Sequence, residues 1–124
     1  MRLLLDTHVL LWWRDASPRL SPRAQAALAD LANDIVVSVA TFWEIVVKRT
    51  TGKLQFPDDL TQVIKEERFE LLPISLSHLT ALSDLPMLHR DPFDRMLVAQ
   101  ALAEGLPLIT GDRALRPYPV AIFW

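Results

Sequence analysis

The sequence predicts an α/β fold in which helices cover both faces of a central, mostly parallel sheet. Short apolar runs that are typical of buried strands alternate with longer segments of helical periodicity. This alternation continues along the whole chain, and no internal repeat or low-complexity segment competes with it. We therefore expect a three-layer sandwich with four to five strands in the middle layer.

Five segments are candidates for strands. The clearest are residues 2–5 and the β-branched run at residues 35–39, because both are short and almost entirely apolar. Residues 69–74, 106–110 and 120–123 are weaker candidates of the same kind.

Helical patterns fill the intervals between these strands. Ser21 is a typical N-cap, with Pro22 at the first helical position, and Gly105 ends the longest helix. The predicted helices cover residues 7–14, 21–32, 41–49, 58–68, 77–84 and 92–104. Loops are expected at residues 50–57 and 86–90.

Length and composition limit what the chain can do. Its 124 residues, 51% of them hydrophobic, predict one domain over residues 1–124 with a single core. The absence of cysteine excludes disulfides, thiolate zinc sites and thiol nucleophiles, so a metal would need oxygen or histidine ligands. The sequence shows no signal-peptide core and no apolar run near the roughly 18 residues of a membrane span. We expect a cytoplasmic protein without membrane attachment.

The net charge of −2 argues against a protein that coats nucleic acid, but it does not exclude a nuclease. Carboxylates in an active site would lower the net charge, and a bound cation would restore it. Basic residues lie near the acids in sequence, and Lys48 and Lys53 could contact phosphate or be ordinary solvated charges.

Four acids are expected at the carboxyl edge of the sheet, where open parallel sheets bind ligands. Asp6 ends the first strand, and Glu44 lies in the first turn of the helix after the second strand. Asp94 lies in the first turn of the helix at residues 92–104, and Asp112 follows the fourth strand. Carboxylates gathered in this way repel one another, and Mg²⁺ or Mn²⁺ would compensate that repulsion. Such a site suits phosphodiester hydrolysis, with one ion or two.

Each acid also has a purely structural interpretation. Thr41 and Glu44 fit a capping box, and Asp91 before a proline fits an N-cap. Asp6 could be a turn residue, and Asp112 could cap a short segment at residues 113–116. Capping does not require four acids at one edge of a sheet, so the joint pattern favours a metal site. For Asp91 we favour the cap over a place behind the metal ligands.

Several motifs occur together and in a fixed order. They are LLLDTH at residues 3–8, FWEI at 42–45 with Lys48 and GKL at 52–54, DPFDRMLVAQA at 91–101, and LITGD at 108–112. With these motifs, nearly the whole chain resembles PIN-domain nucleases, particularly the VapC-type toxins of bacterial toxin–antitoxin pairs.

The resemblance implies a Rossmann-like sandwich and a Mg²⁺- or Mn²⁺-dependent endoribonuclease that cuts RNA and is inhibited by a cognate antitoxin protein. It implies that Thr7 and Thr110 support neighbouring carboxylates. It assigns catalysis and metal binding to the same four acids, with the first three as the core of the site: Asp6, Glu44, Asp94 and Asp112.

The remaining notable residues are histidines and tryptophans. His8, His78 and His89 lack the spacing of a zinc site, and we expect His8 to pack or hydrogen bond. Trp12 and Trp13 diverge by about 100° on a helix, so we expect that they cannot both enter one core. Such aromatic surface would suit a homodimer or an antitoxin groove, or the rings could simply be core.

Three other functions compete with a nuclease. An aspartyl phosphatase would need a second aspartate two residues after Asp6, where the chain has His8. A receiver domain would need paired acids after the first strand and a lysine after the last, and neither is present. A domain that only binds RNA or protein remains as the alternative, and metal-independent binding without cleavage would identify it.

Overall fold

A computed structural model describes residues 1–124 and contains five strands and six α-helices. The strands are β1 (Arg2–Leu5), β2 (Asp34–Ser38), β3 (Glu70–Leu72), β4 (Leu108–Ile109) and β5 (Ile122–Phe123). The helices are α1 (Thr7–Arg14), α2 (Pro22–Ala29), α3 (Val39–Thr50), α4 (Leu60–Glu67), α5 (Leu76–Asp84) and α6 (Pro92–Glu104). The predicted α/β class is confirmed.

The five strands form one sheet in the order β3-β2-β1-β4-β5, and every pair of neighbours is parallel. The first strand of the chain is therefore the central one, with β2 on one side and β4 on the other. Since parallel strands end at the same edge, the residues that follow β1, β2 and β4 meet there. This is the edge at which the sequence predicted the acids.

Helices cover both faces of the sheet, as expected for a three-layer sandwich. Alternate residues of β1 point to opposite faces: Leu3 and Leu5 belong to one core, and Leu4 belongs to the other. The first core contains residues of α1, α2, α3 and α4, and the second contains residues of α6 with α5 packed against them. No helix combines the length and apolarity that crossing a membrane requires.

The start of α3 differs from the prediction. The helix begins at Val39, and the Ser38 hydroxyl accepts a hydrogen bond from the backbone N–H of Ala40. The alternative interpretation of Thr41 and Glu44 as a capping box is therefore wrong, and Glu44 lies in the second turn of the helix, not in the first as predicted. The β-branched Val39 favoured a longer strand in the sequence, but the Ser38 cap begins the helix two residues earlier. The Thr41 hydroxyl instead lies 3.1 Å from that of Thr7.

Other boundaries shift by a few residues. Predicted strands at 69–74, 106–110 and 120–123 shorten to the two or three residues that pair with a neighbour. Helix α2 ends at Ala29, three residues earlier than predicted, and α5 begins at Leu76 because Ser75 and His78 form a capping box.

The two adjacent tryptophans pack against the same core. Trp12 and Trp13 both lie half-buried at the margin of the first core, so the expectation that they cannot share it is wrong. The Trp12 ring is 6.0 Å from that of Trp124, and the Trp13 indole N–H donates to the Glu67 carboxylate.

Candidate metal centre

The structure brings the four predicted acids together at the carboxyl edge of the sheet. Asp6 follows β1, Asp112 follows β4, Glu44 comes from α3 and Asp94 from the first turn of α6. The negative charges of Glu44 and Asp112 raise the pKa of Asp6, and those of Asp6 and Glu44 raise the pKa of Asp94. Three of the acids are almost fully enclosed, with exposures of 2% for Asp6, 1% for Glu44 and 9% for Asp94. Asp112 is more exposed to solvent than the other three acids.

Asp6 is held by one hydroxyl group. The Thr110 side chain donates to Asp6 Oδ2 at 2.7 Å and also accepts from the backbone N–H of Asp112 at 3.1 Å. Asp6 Oδ1 is buried without any hydrogen-bond partner. Burial is the main cause that raises the pKa of Asp6, while the Thr110 hydrogen bond and the charge of His8 lower it. Although Asp6 is the N-cap residue of α1, its side chain makes no capping hydrogen bond, so it is free to face the other acids.

Glu44 is paired with a lysine one turn away on α3. Lys48 Nζ lies 2.7 Å from Glu44 Oε2, and this hydrogen bond is the main cause that raises the pKa of Lys48. Burial of the ammonium opposes that shift, whereas the charges of Asp91 and Asp94 add to it. The second carboxylate oxygen, Glu44 Oε1, is buried and has no partner. The single positive charge of Lys48 therefore cannot neutralise the negative charges of the acids around it.

Asp94 has a strongly raised pKa. Burial raises its pKa to about 6, with further raising by the charges of Asp6, Asp91 and Glu44 and some lowering by a hydrogen bond to His89. Asp91 itself caps α6, since its Oδ1 accepts from the backbone N–H groups of Phe93 at 2.9 Å and Asp94 at 3.1 Å. The expected capping role of Asp91 is confirmed.

Two expectations about supporting residues have different outcomes. Thr110 supports a carboxylate as expected, whereas the Thr7 hydroxyl pairs with that of Thr41 and makes no hydrogen bond to a carboxylate. Asp112 accepts from the backbone N–H of Ala114 at 2.9 Å, so it caps the 3₁₀-helix at Arg113–Leu115 while it also faces the acid cluster.

His89 was not predicted as a site residue, because the three histidines lack the spacing of a zinc site. His89 Nε2 lies 2.9 Å from Asp94 Oδ2, and one ligand atom from each of His89, Asp94 and Asp112 lies within 4.8 Å of the other two. The sequence signal for His89 is its position two residues before the Asp91 cap. At that position the loop folds back over the first turn of α6, where Asp94 lies.

The residues at this edge fit a divalent cation. A buried carboxylate oxygen without a partner is costly, and here two of them, Asp6 Oδ1 and Glu44 Oε1, belong to the same cluster. Carboxylate oxygens are the ligands that hard cations such as Mg²⁺ and Mn²⁺ take. A cation would satisfy both orphaned oxygens and offset the mutual repulsion of the acids.

Replacing Thr110 by valine should disturb Asp6 and Asp112 together. Valine keeps the size of threonine, but it removes the donor to Asp6 and the acceptor for the Asp112 backbone N–H. We expect the metal-free protein to lose about 1 to 3 kcal/mol in its free energy of unfolding, measured by urea titration. Thr80→Val is the control, because the Thr80 hydroxyl is exposed and bonds only the Leu76 carbonyl of its own helix. Equal losses from the two variants would contradict the prediction.

Comparison with known proteins identifies the family. The PIN domain family matches residues 3–120, which is nearly the whole chain. The chain belongs to the PIN domain family. Among curated proteins, this PIN domain is similar to "Ribonuclease VapC22" of Mycobacterium tuberculosis (strain ATCC 25618 / H37Rv), with 29% identity over 128 residues and 98% of each chain covered.

Solved structures with the same fold cover nearly the whole chain. VapBC2 from Rickettsia felis, bound to a DNA fragment from their promoter, has a TM-score of 0.74 and 17% identity, with 99% of this PIN domain and 98% of that chain covered. FitAcB from Neisseria gonorrhoeae has a TM-score of 0.66 and 20% identity, with 98% and 96% covered. At these identities the likeness shows the PIN fold, including its parallel sheet.

Proposed function

We propose that this PIN domain is a Mg²⁺- or Mn²⁺-dependent endoribonuclease, the toxin of a toxin–antitoxin pair. The observation that carries the proposal is the pair of buried, unpartnered oxygens, Asp6 Oδ1 and Glu44 Oε1, in a cluster of acids at the carboxyl edge of the sheet. The likeness to a protein named a ribonuclease, over nearly the full length of both chains, supports RNA as the substrate.

Four side chains would hold the cation: Asp6, Glu44, Asp94 and Asp112. When bound, it would lower the pKa of a water molecule and stabilise charge on the leaving oxygen of a phosphodiester. Thr110 orients Asp6 through its 2.7 Å hydrogen bond, and the Asp91 cap fixes the first turn of α6 and with it Asp94. Lys48, whose side chain is 36% exposed, is close enough to the acids to meet a phosphate that approaches from solvent.

The partners follow from the same comparison. One structural neighbour is named as a toxin–antitoxin complex from Klebsiella pneumoniae, which supports an antitoxin protein as a partner of this chain. Four apolar side chains of α3 are exposed and would suit an antitoxin or a second copy in a homodimer: Val39, Trp43, Val46 and Val47.

The test is cleavage of labelled structured RNAs by the purified protein with Mg²⁺, with Mn²⁺ and with EDTA. Asp6→Asn and Asp94→Asn keep the size of the side chain but remove a charged ligand, so we expect each to lower the cleavage rate by at least about 100-fold, or roughly 2.7 kcal/mol in the activation barrier. Asp84→Asn is the matched control, since Asp84 is exposed at the end of α5.

The possible results separate the proposal from its alternative. Cleavage that EDTA and both active-site variants abolish, and that Asp84→Asn preserves, supports the nuclease. Cleavage that survives Asp6→Asn and Asp94→Asn would contradict it. Metal-independent RNA binding without cleavage would favour the alternative, a non-catalytic RNA- or protein-binding PIN domain.

A further inference from the structure

We propose that His89 is a nitrogen ligand of the metal site and makes the site prefer Mn²⁺ over Mg²⁺. This inference rests on the proposed function, because it concerns the same cation. It adds a residue from the loop between α5 and α6 to a site otherwise built from acids.

The spacing of the ligand atoms fits a shared cation. Two neighbouring ligands of an octahedral ion, each about 2.1 Å from the metal, lie about 3.0 Å apart, and ligands on opposite sides lie about 4.2 Å apart. His89 Nε2 and Asp94 Oδ2 are 2.9 Å apart. The ligand atoms of His89, Asp94 and Asp112 all lie within 4.8 Å of one another, near the larger of those two separations.

The loop that carries His89 is anchored to the body of the domain. Arg95, which is only 9% exposed, donates to the Pro86 carbonyl at 2.9 Å and to the Tyr118 hydroxyl at 3.2 Å. The backbone N–H of Leu88 also donates to the Pro86 carbonyl at 3.0 Å. These bonds hold the start of the loop beside α6, so His89 is positioned before a cation arrives.

No structural role accounts for the His89 ring. Its single hydrogen bond is the one to Asp94, and its side chain is 25% exposed, so it contributes little to a core. Asp91 already caps α6 with two hydrogen bonds, which leaves no capping role for the histidine. Its Nε2 atom nevertheless points to Asp94 in the acid cluster.

The chemistry of the ligand sets the metal preference. Mg²⁺ takes oxygen ligands almost exclusively, whereas Mn²⁺ favours carboxylates but, as a first-row transition metal, also binds at sites that include a nitrogen ligand. Coordination requires the lone pair of Nε2, so the neutral ring that binds the metal would carry its proton on Nδ1. Losing this ligand should weaken Mn²⁺ binding more than Mg²⁺ binding.

The inference is tested on the full chain by spectroscopy and calorimetry. In Mn²⁺-loaded protein, pulsed electron paramagnetic resonance should detect coupling of the metal to a directly bound ¹⁴N nucleus. That signal should persist in His8→Gln, the control histidine near Asp6, and disappear in His89→Gln. By calorimetry, we expect His89→Gln to weaken Mn²⁺ binding at least about 10-fold and Mg²⁺ binding less than about 3-fold.

Each contrary result has a distinct meaning. Mn²⁺ bound without ¹⁴N coupling, or equal weakening of both metals in His89→Gln, would overturn the role of His89 and leave the ribonuclease proposal intact. Mn²⁺ binding that Asp94→Asn does not weaken would place the cation elsewhere and would overturn both the role of His89 and the metal site on which the proposed function depends.

Discussion

Replacing Asp94 by asparagine should stabilise the metal-free protein while it abolishes cleavage. Burial raises the pKa of Asp94 from 3.8 to about 6, so the folded state at neutral pH holds a carboxylate that it disfavours. A shift of about 2 units corresponds to roughly 3 kcal/mol at most. We expect Asp94→Asn to raise the free energy of unfolding by up to this amount at pH 8 in EDTA, measured by urea titration.

The pH dependence of this difference follows from the direction of the shift. Because the pKa of Asp94 is higher in the folded state, the folded protein retains a proton that the unfolded chain has released between pH 3.8 and about 6. The Asp94 contribution to stability therefore falls as pH rises through this window, and the full penalty applies above it. The advantage of Asp94→Asn should be largest at pH 8 and should vanish at pH 3.5. A difference that persists at pH 3.5, or no difference at pH 8, would contradict the prediction.

Adding a cation should reverse the order of stability. A ligand that binds only the folded state stabilises it by about 4.1 kcal/mol at 1,000 times its dissociation constant, which exceeds the difference of roughly 3 kcal/mol. The unmodified protein should gain this stability from Mg²⁺ or Mn²⁺, whereas Asp94→Asn should gain much less. Asp84→Asn should follow the unmodified protein under both conditions. This reversal is expected of a binding site, because the empty acid cluster lowers the stability of the protein and the bound cation raises it.

The position of the site could be predicted from the sequence because strand ends are local features. Asp6 and Asp112 each follow a short apolar run, and parallel strands end at one edge. Glu44 was placed correctly at the same edge, although the predicted start of its helix is wrong. The Ser38 cap begins α3 at Val39, and this start could not be recognised because the β-branched residues around it favour a longer strand.

The contacts between side chains depend on tertiary structure and were not predictable. Nothing in the spacing of His89 and Asp94 shows that their atoms lie 2.9 Å apart, because this distance depends on how Arg95 ties the loop to Tyr118. The two buried oxygens without a hydrogen-bond partner could not be predicted either, because Glu44 Oε1 becomes buried only when the whole cluster has assembled. The pairing of Lys48 with Glu44 is the exception, because residues four apart on a helix are neighbours.

The helix that carries Asp94 is enclosed on every side, and this predicts a large effect at Leu97. Every residue from Asp94 to Ala101 is buried, because α6 packs on the sheet and beneath α5. Leu97 is fully buried against the face of the sheet that includes Leu4 and Leu108. We expect Leu97→Ala to lower the free energy of unfolding by about 3 to 5 kcal/mol through lost burial and the resulting cavity.

Leu31→Ala is the matched control for this prediction, because Leu31 is 89% exposed and the same truncation there removes almost no packing. It should change the stability by less than about 0.5 kcal/mol. Leu97 lies one turn after Asp94 on α6, so its packing in the core also fixes the position of Asp94 relative to the other acids. Leu97→Ala should therefore weaken Mn²⁺ binding even at temperatures where the variant remains folded. Equal stability of the two leucine variants would show that α6 is not held by the core, and the placement of Asp94 would then need another cause.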